Sequence, residues 1–158
     1  MGIALSTIGV KVFYGYGADE ATIPSSFTQL KDIVSTPDFN VEPNGIDVTT
    51  LDETVAHRYV EGLRDYGTSV QFTANLTTEL ISTWNGIVEK VEAEKKKESG
   101  GTPYLWIEIV HPDLDQAVFI PTQPIALGLP AMEVDSAMQT TLYCTPQAGA
   151  QWDDPITE

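Results

Sequence analysis

The sequence predicts a mainly β fold: an antiparallel β-sandwich or partly closed barrel with one flanking α-helix at about residues 78–98. Three observations predict it. Val70, Phe72, Ala74 and Leu76 alternate with Ser69, Gln71, Thr73 and Asn75, the period of a strand with one buried face. Leu80, Trp84, Ile87, Val88 and Val91 then recur at helical spacing and form one apolar stripe. Apolar segments at 104–111, 116–120 and 134–144 follow, separated by Pro- and Asp-containing connections. Strands, one helix and more strands make a sheet structure flanked by a helix.

Residues 1–26 read as an arm rich in Gly, Ser, Thr and Ala. Lys11-Val12-Phe13-Tyr14 is a candidate short strand within it, and Gly15-Tyr16-Gly17 a flexible stretch. Residues 27–34 read as a strand. A long loop covers 35–65, with Pro37, Pro43 and the turn pair Asn44-Gly45. Within it 46–51 is β-branched enough for a short strand, and 52–61 is polar.

The strand at 66–76 leads into the helix, which Thr77 or Thr78 can cap and which Ser99-Gly100-Gly101 and Pro103 end. Segment 104–111 is apolar on both sides, so burial from two directions is expected. It forms a hairpin with 116–120 through Pro112-Asp113-Leu114-Asp115. Residues 121–130 are a Pro-rich connection. In the last strand, 134–144, Met138, Leu142 and Cys144 point inward. The acidic tail at 146–158 reads as loose. With no internal repeat and no linker, the chain reads as a single domain, 1–158.

Composition excludes several functions. The 158 residues carry 23 Asp plus Glu against 8 Lys plus Arg, a net charge of −15. Such a chain repels bare nucleic acid and anionic membrane surfaces. A lone cysteine, Cys144, allows no internal disulfide and no thiolate zinc cluster, and fits a reducing compartment. Neither a signal peptide nor an apolar membrane span is read from the sequence.

Little points to catalysis. His57 and His111 have no Cys or His at ligand spacing. Pairs such as Asp47/Asp52, Asp113/Asp115 and Asp153/Asp154 are what an acidic chain yields by chance, and Asp113 and Asp115 suit a turn. No G-x-S-x-G is present, and Gly15-x-Gly17 lacks the rest of a dinucleotide fingerprint. Lys95-Lys96-Lys97 is interleaved with Glu92, Glu94 and Glu98, a solvated helix face. The expectation is no enzyme, no metal and no cofactor.

One motif is specific. Ile46-Asp47-Val48-Thr49-Thr50-Leu51-Asp52 is followed by Arg58-Tyr59-Val60-Glu61-Gly62-Leu63-Arg64-Asp65-Tyr66-Gly67. The two halves resemble the signature of the tail tube proteins (major tail proteins) of long, flexible-tailed bacteriophages. The likeness is specific over 46–67 and one of element order beyond 77. It implies a subunit of six-membered rings that stack into a tube through which DNA is ejected. It makes 35–65 the inter-ring loop and the terminal arms the locks between neighbours. It places Ile46, Asp47, Val48, Thr49, Thr50, Leu51, Arg58, Tyr59, Gly62, Leu63 and Asp65 at intersubunit contacts.

The expected partners are further copies of the chain, the tail terminator, the baseplate or tip, the tape measure protein, and passing DNA without specific binding. The expected location is the virion tail, after synthesis in the host bacterial cytoplasm. On the residues alone, Thr49 and Thr50 can bond an added strand, Val48 and Leu51 can bury, Arg58 can clamp a neighbour's carboxylate, and Gly62 and Gly67 allow turns. Equally, the segment can cover its own sheet edge. The alternatives are a tube subunit of a phage-tail-like bacteriocin, a monomeric carbohydrate-binding sandwich with Tyr104, Trp106 and Trp84 stacking on sugar, and an acidic hydrolase. Core burial of those aromatics would remove the sugar face.

Overall fold

A computed structural model describes residues 6, 8–38, 40, 44–63, 69–130, 132 and 134–156. These form a mainly β, antiparallel structure with one helix. In the larger sheet the order is β2 (Thr28–Leu30), β1 (Lys11–Gly17), β7 (Tyr104–Val110), β8 (Ala117–Pro124), β9 (Gln139–Pro146), β6 (Val70–Asn75) and β3 (Ile33–Ser35). β10 (Gln151–Asp153) pairs with the first half of β8. β4 (Gly45–Asp47) and β5 (Tyr59–Glu61) form a separate two-stranded ladder.

The strand expected at 27–34 is two strands meeting at a corner. β2 and β3 lie at opposite ends of the sheet order, yet only Lys31 and Asp32 separate them in sequence. Asp32 turns the corner at φ 70°, a left-handed conformation that Asp tolerates better than most residues. Its carbonyl accepts the Asn75 N–H at 2.8 Å, fixing the corner to β6. The chain thus links the two ends, but no ladder joins them and the sheet is not closed into a barrel.

The α-helix, α1 (Thr78–Lys95), is capped by Thr77, whose hydroxyl accepts the Leu80 N–H at 3.1 Å. The same hydroxyl donates to Asp32 Oδ2 at 3.1 Å. Leu80, Trp84, Ile87 and Val91 pack on one face of the sheet against Phe72, Leu105, Ile107 and Leu142. Each such burial contributes about 1.5–3 kcal/mol. Trp84 Nε1 donates to the Ile125 carbonyl at 2.9 Å, so its polar atom is satisfied inside the core.

A second cluster covers the opposite face: Phe13, Phe27, Trp106, Ala117 and Phe119, with Ile23, Tyr104, Val110 and Ile156 packed against it. Both faces of β7 are therefore buried by the chain itself. The arm expected at 1–26 is in part sheet: β1 lies between β2 and β7, and 18–27 folds over the outer face. Gly15 and Gly17 are close-approach positions and not a flexible stretch. A Cβ on Gly17 would overlap Trp106 Nε1, and one on Gly15 would sit 2.7 Å from the Ser26 carbonyl oxygen. The tail expected to be loose is held by β10 and by Ile156, whose N–H donates to Glu108 Oε1 at 2.8 Å.

Two strand boundaries also shift. β8 runs through Pro121, which the sequence placed in a connection. The Pro121 carbonyl accepts the Gln147 N–H at 3.0 Å, where β9 gives way to β10. The missing N–H falls between two partner strands, where no ladder bond is lost. β9 begins at Gln139: Leu142 and Cys144 are buried as expected, whereas Met138 and Val134 are exposed.

Candidate functional site

The motif segment folds into the separate hairpin. Gly45, Ile46 and Asp47 stand opposite Glu61, Val60 and Tyr59. The ladder extends at both ends: Val48 N–H donates to the Arg58 carbonyl at 2.9 Å, and Gly62 N–H donates to the Asn44 carbonyl at 2.6 Å. Because side chains alternate, Ile46, Val48 and Val60 share one face, while Asp47 and Tyr59 share the other. Both faces are open. Ile46 is 52% exposed, Val48 44%, Tyr59 62% and Val60 49%, and Leu51 and Leu63 are almost wholly exposed. A lone two-stranded hairpin is marginal in water, and this one carries its apolar side chains uncovered.

A polar cluster organises the end of the hairpin. Asp47 Oδ1 accepts the Thr49 N–H at 2.9 Å, and Thr49 Oγ1 accepts the Arg58 N–H at 2.8 Å. His57 Nδ1 lies 3.3 Å from Thr49 Oγ1 and 3.4 Å from Asp47 Oδ2. Hydrogen bonds from Thr49, side chain before backbone, and then from His57 hold the Asp47 carboxyl below the usual carboxylate range. Arg58 Nη1 reaches Glu53 Oε1 at 3.0 Å through a single nitrogen. Thr50 closes a turn by accepting the Glu53 N–H through its carbonyl.

Several expectations change. Val48 and Leu51, expected to bury at a subunit contact, are exposed in the single chain, where among the described residues the hairpin pairs with no strand of the larger sheet. Thr49 spends its hydroxyl on its own hairpin instead of an added strand. Arg58 pairs within the loop. Gly62 ends the ladder beside Asn44 and makes no left-handed turn; a Cβ there would meet Asn44 Nδ2 at 3.0 Å. Asp65 and Gly67 lie outside the described residues. Sequence reasoning missed Val60 as the partner of Ile46 and His57 as part of the Asp47–Thr49 cluster. Pairing the two motif halves antiparallel would have shown both.

Among the described residues no group of three or more His, Cys, Asp or Glu side chains is arranged to hold a metal ion. Trp84 and Trp106 are fully buried and unavailable for sugar stacking. Among the described residues no helix is long and apolar enough to cross a membrane.

No family model matches the chain, and no curated protein does. Among solved structures, the fold is similar to a chain in the cryo-EM structure of the anti-feeding prophage (AFP) baseplate, 6-fold symmetrised. That likeness has a TM-score of 0.60 and 11% identity, and covers 98% of each chain. The shared element is the fold, from one end to the other.

Proposed function

We propose that the chain is a structural subunit that self-assembles into stacked hexameric rings, the tail tube of a long-tailed bacteriophage and its conduit for DNA. One observation carries the proposal. A hairpin with exposed apolar side chains stands apart from a sheet whose end strands, among the described residues, each keep one open edge, and that fold overlays end to end on a chain of a six-fold baseplate. Exposed strand edges and apolar patches are liabilities in a monomer and assets in a self-assembling subunit. The role is not enzymatic. Its partners are further copies, then the terminator, tip and tape measure proteins of a tail, and it resides in the virion tail after synthesis in the host cytoplasm. Six copies at −15 carry a formal charge near −90, which keeps DNA from adhering as it slides. A second reading is a tube subunit of a phage-tail-like bacteriocin, favoured by the prophage baseplate as structural neighbour.

Negative-stain imaging of the concentrated protein tests the proposal. Rings or hollow tubes are expected, and replacing 44–62 by a short Gly-Ser bridge should leave a folded monomer. A wild-type protein that sediments as a monomer at every concentration would overturn it.

A further inference from the structure

The larger sheet has an opening between the start of β1 and β3. Leu30, opposite Val12, is the last β2 residue in register with β1. The chain then turns at Asp32, and β3 joins β6. Among the described residues, Lys11 has no strand beside it on the β2 side, and β3 has none on its outer side. The opening is a groove of about 580 Å³ lined by residues 9–12 and 29–36. Val12 and Leu30 are buried there, while Val34 is 51% exposed. No hairpin residue of the same chain lines it.

The charges are unevenly placed. Of the eight Lys and Arg residues, four lysines lie at 90 and 95–97 in or just after α1, and the two arginines are Arg58 and Arg64. The remaining two, Lys11 and Lys31, both line the groove beside Asp32, which leaves the lining a net +1, and neither lysine is in an ion pair among the described residues. The hairpin is the opposite. Residues 44–62 carry Asp47, Asp52, Glu53 and Glu61 against Arg58, a net −3 with His57 neutral.

We infer that this groove is the acceptor for the β4–β5 hairpin of a second copy of the chain. The inference rests on the assembly reading above and names where the hairpin goes. Among the described residues both partners keep an open strand edge, so the added ladder would satisfy backbone groups on each side. The apolar face of Ile46, Val48 and Val60 meets the Val12, Leu30 and Val34 lining. The acidic turn meets Lys11 and Lys31, which fixes orientation.

Cross-linking tests it cleanly, because the native Cys144 is fully buried. Val34→Cys and Val60→Cys are made as separate proteins and mixed under mild oxidation. The mixture should give a disulfide-linked heterodimer at least tenfold above either protein alone. Adding Lys11→Glu and Lys31→Glu to the Val34→Cys protein should cut that yield at least tenfold. Adding Asp52→Lys and Glu53→Lys to the Val60→Cys protein should then restore it. Circular dichroism confirms that each variant is folded. Rings that form without the cross-link, or a yield indifferent to the charge reversals, would overturn the acceptor groove and leave the ring proposal standing. A wild-type protein that never assembles would overturn the ring proposal itself, and the groove with it.

Discussion

Glu108 Oε1 accepts the backbone N–H of Ile156 at 2.8 Å, so a buried carboxyl in the middle of β7 holds the C-terminal segment against the sheet. Glu108 stands between Phe13 and Phe119 in register, and its Oε2 is buried without a partner. Burial pushes its pKa up, and the Ile156 N–H offsets this only in part. The folded state therefore holds this proton to higher pH than the unfolded state does. By linkage, stability is fully present below the ordinary carboxylate pKa and falls as pH rises through the raised value. Glu108→Gln keeps an acceptor for Ile156 and removes the titration. Urea midpoints measured from pH 4 to 8 should fall with rising pH less steeply in Glu108→Gln than in the wild type. Parallel slopes would refute this.

Gly17→Ala should destabilise the fold by about 1–3 kcal/mol, the usual range for forcing an atom into a packed site. The added methyl would displace the Trp106 indole, whose Nε1 donates to the Asp19 carbonyl at 3.2 Å. Gly86→Ala is the control, since a Cβ there has no neighbour within 4 Å and helix propensity favours Ala. The two substitutions should therefore move thermal midpoints in opposite directions.

The Thr77–Asp32 bond ties the start of α1 to the corner between β2 and β3. Thr77→Ala should lose about 1 kcal/mol from the cap alone. Asp32→Ala should lose a comparable amount, because Ala at φ 70° is strained as well as unbonded. If the pair acts as one unit, the double variant will cost less than the sum of the singles in denaturant titrations. Strict additivity would make them independent.

Cys144 is fully buried, and burial pushes its thiol up to about 12. A thiol reagent at pH 8 should therefore modify the native protein only as fast as it unfolds, and fully in denaturant. Rapid modification of the folded protein would show that β9 opens locally.

Much of this fold was readable from local periodicity. The alternation at 70–74 and the helical stripe from Leu80 to Val91 each depend on neighbours within a few residues, and both packed as the pattern implied. What stayed hidden depends on distant partners. The run at 27–34 looks continuous, because nothing in its composition marks that Asp32 must reach Asn75 and Thr77. Gly15 and Gly17 read as flexible because the groups that need their bare backbone, the Ser26–Phe27 stretch for Gly15 and Trp106 for Gly17, lie about ten and ninety positions on. Pro121 reads as a breaker unless the gap between β9 and β10 is known. At the hairpin, the two motif halves were visible and their antiparallel pairing was not. Val48 and Leu51 read as residues that bury, and in the single chain both are exposed, so only a neighbour could cover them.

The hairpin should behave as a unit separate from the core. Among the described residues β4 and β5 pair only with each other, and Thr49 Oγ1 is the side-chain acceptor for the Arg58 N–H. Thr49→Val keeps the shape and removes that acceptor. Its loss, at about 1 kcal/mol, corresponds to roughly fivefold faster amide hydrogen exchange across residues 46–60. The global denaturation midpoint should stay within about 0.5 kcal/mol of wild type, as for other surface changes. Ring formation is the informative third measurement. Under the assembly proposal the hairpin must be ordered to dock, so the critical concentration for rings should rise in Thr49→Val while the monomer remains as stable as before. A loss of global stability instead would mean that the hairpin is part of the cooperative core of its own chain.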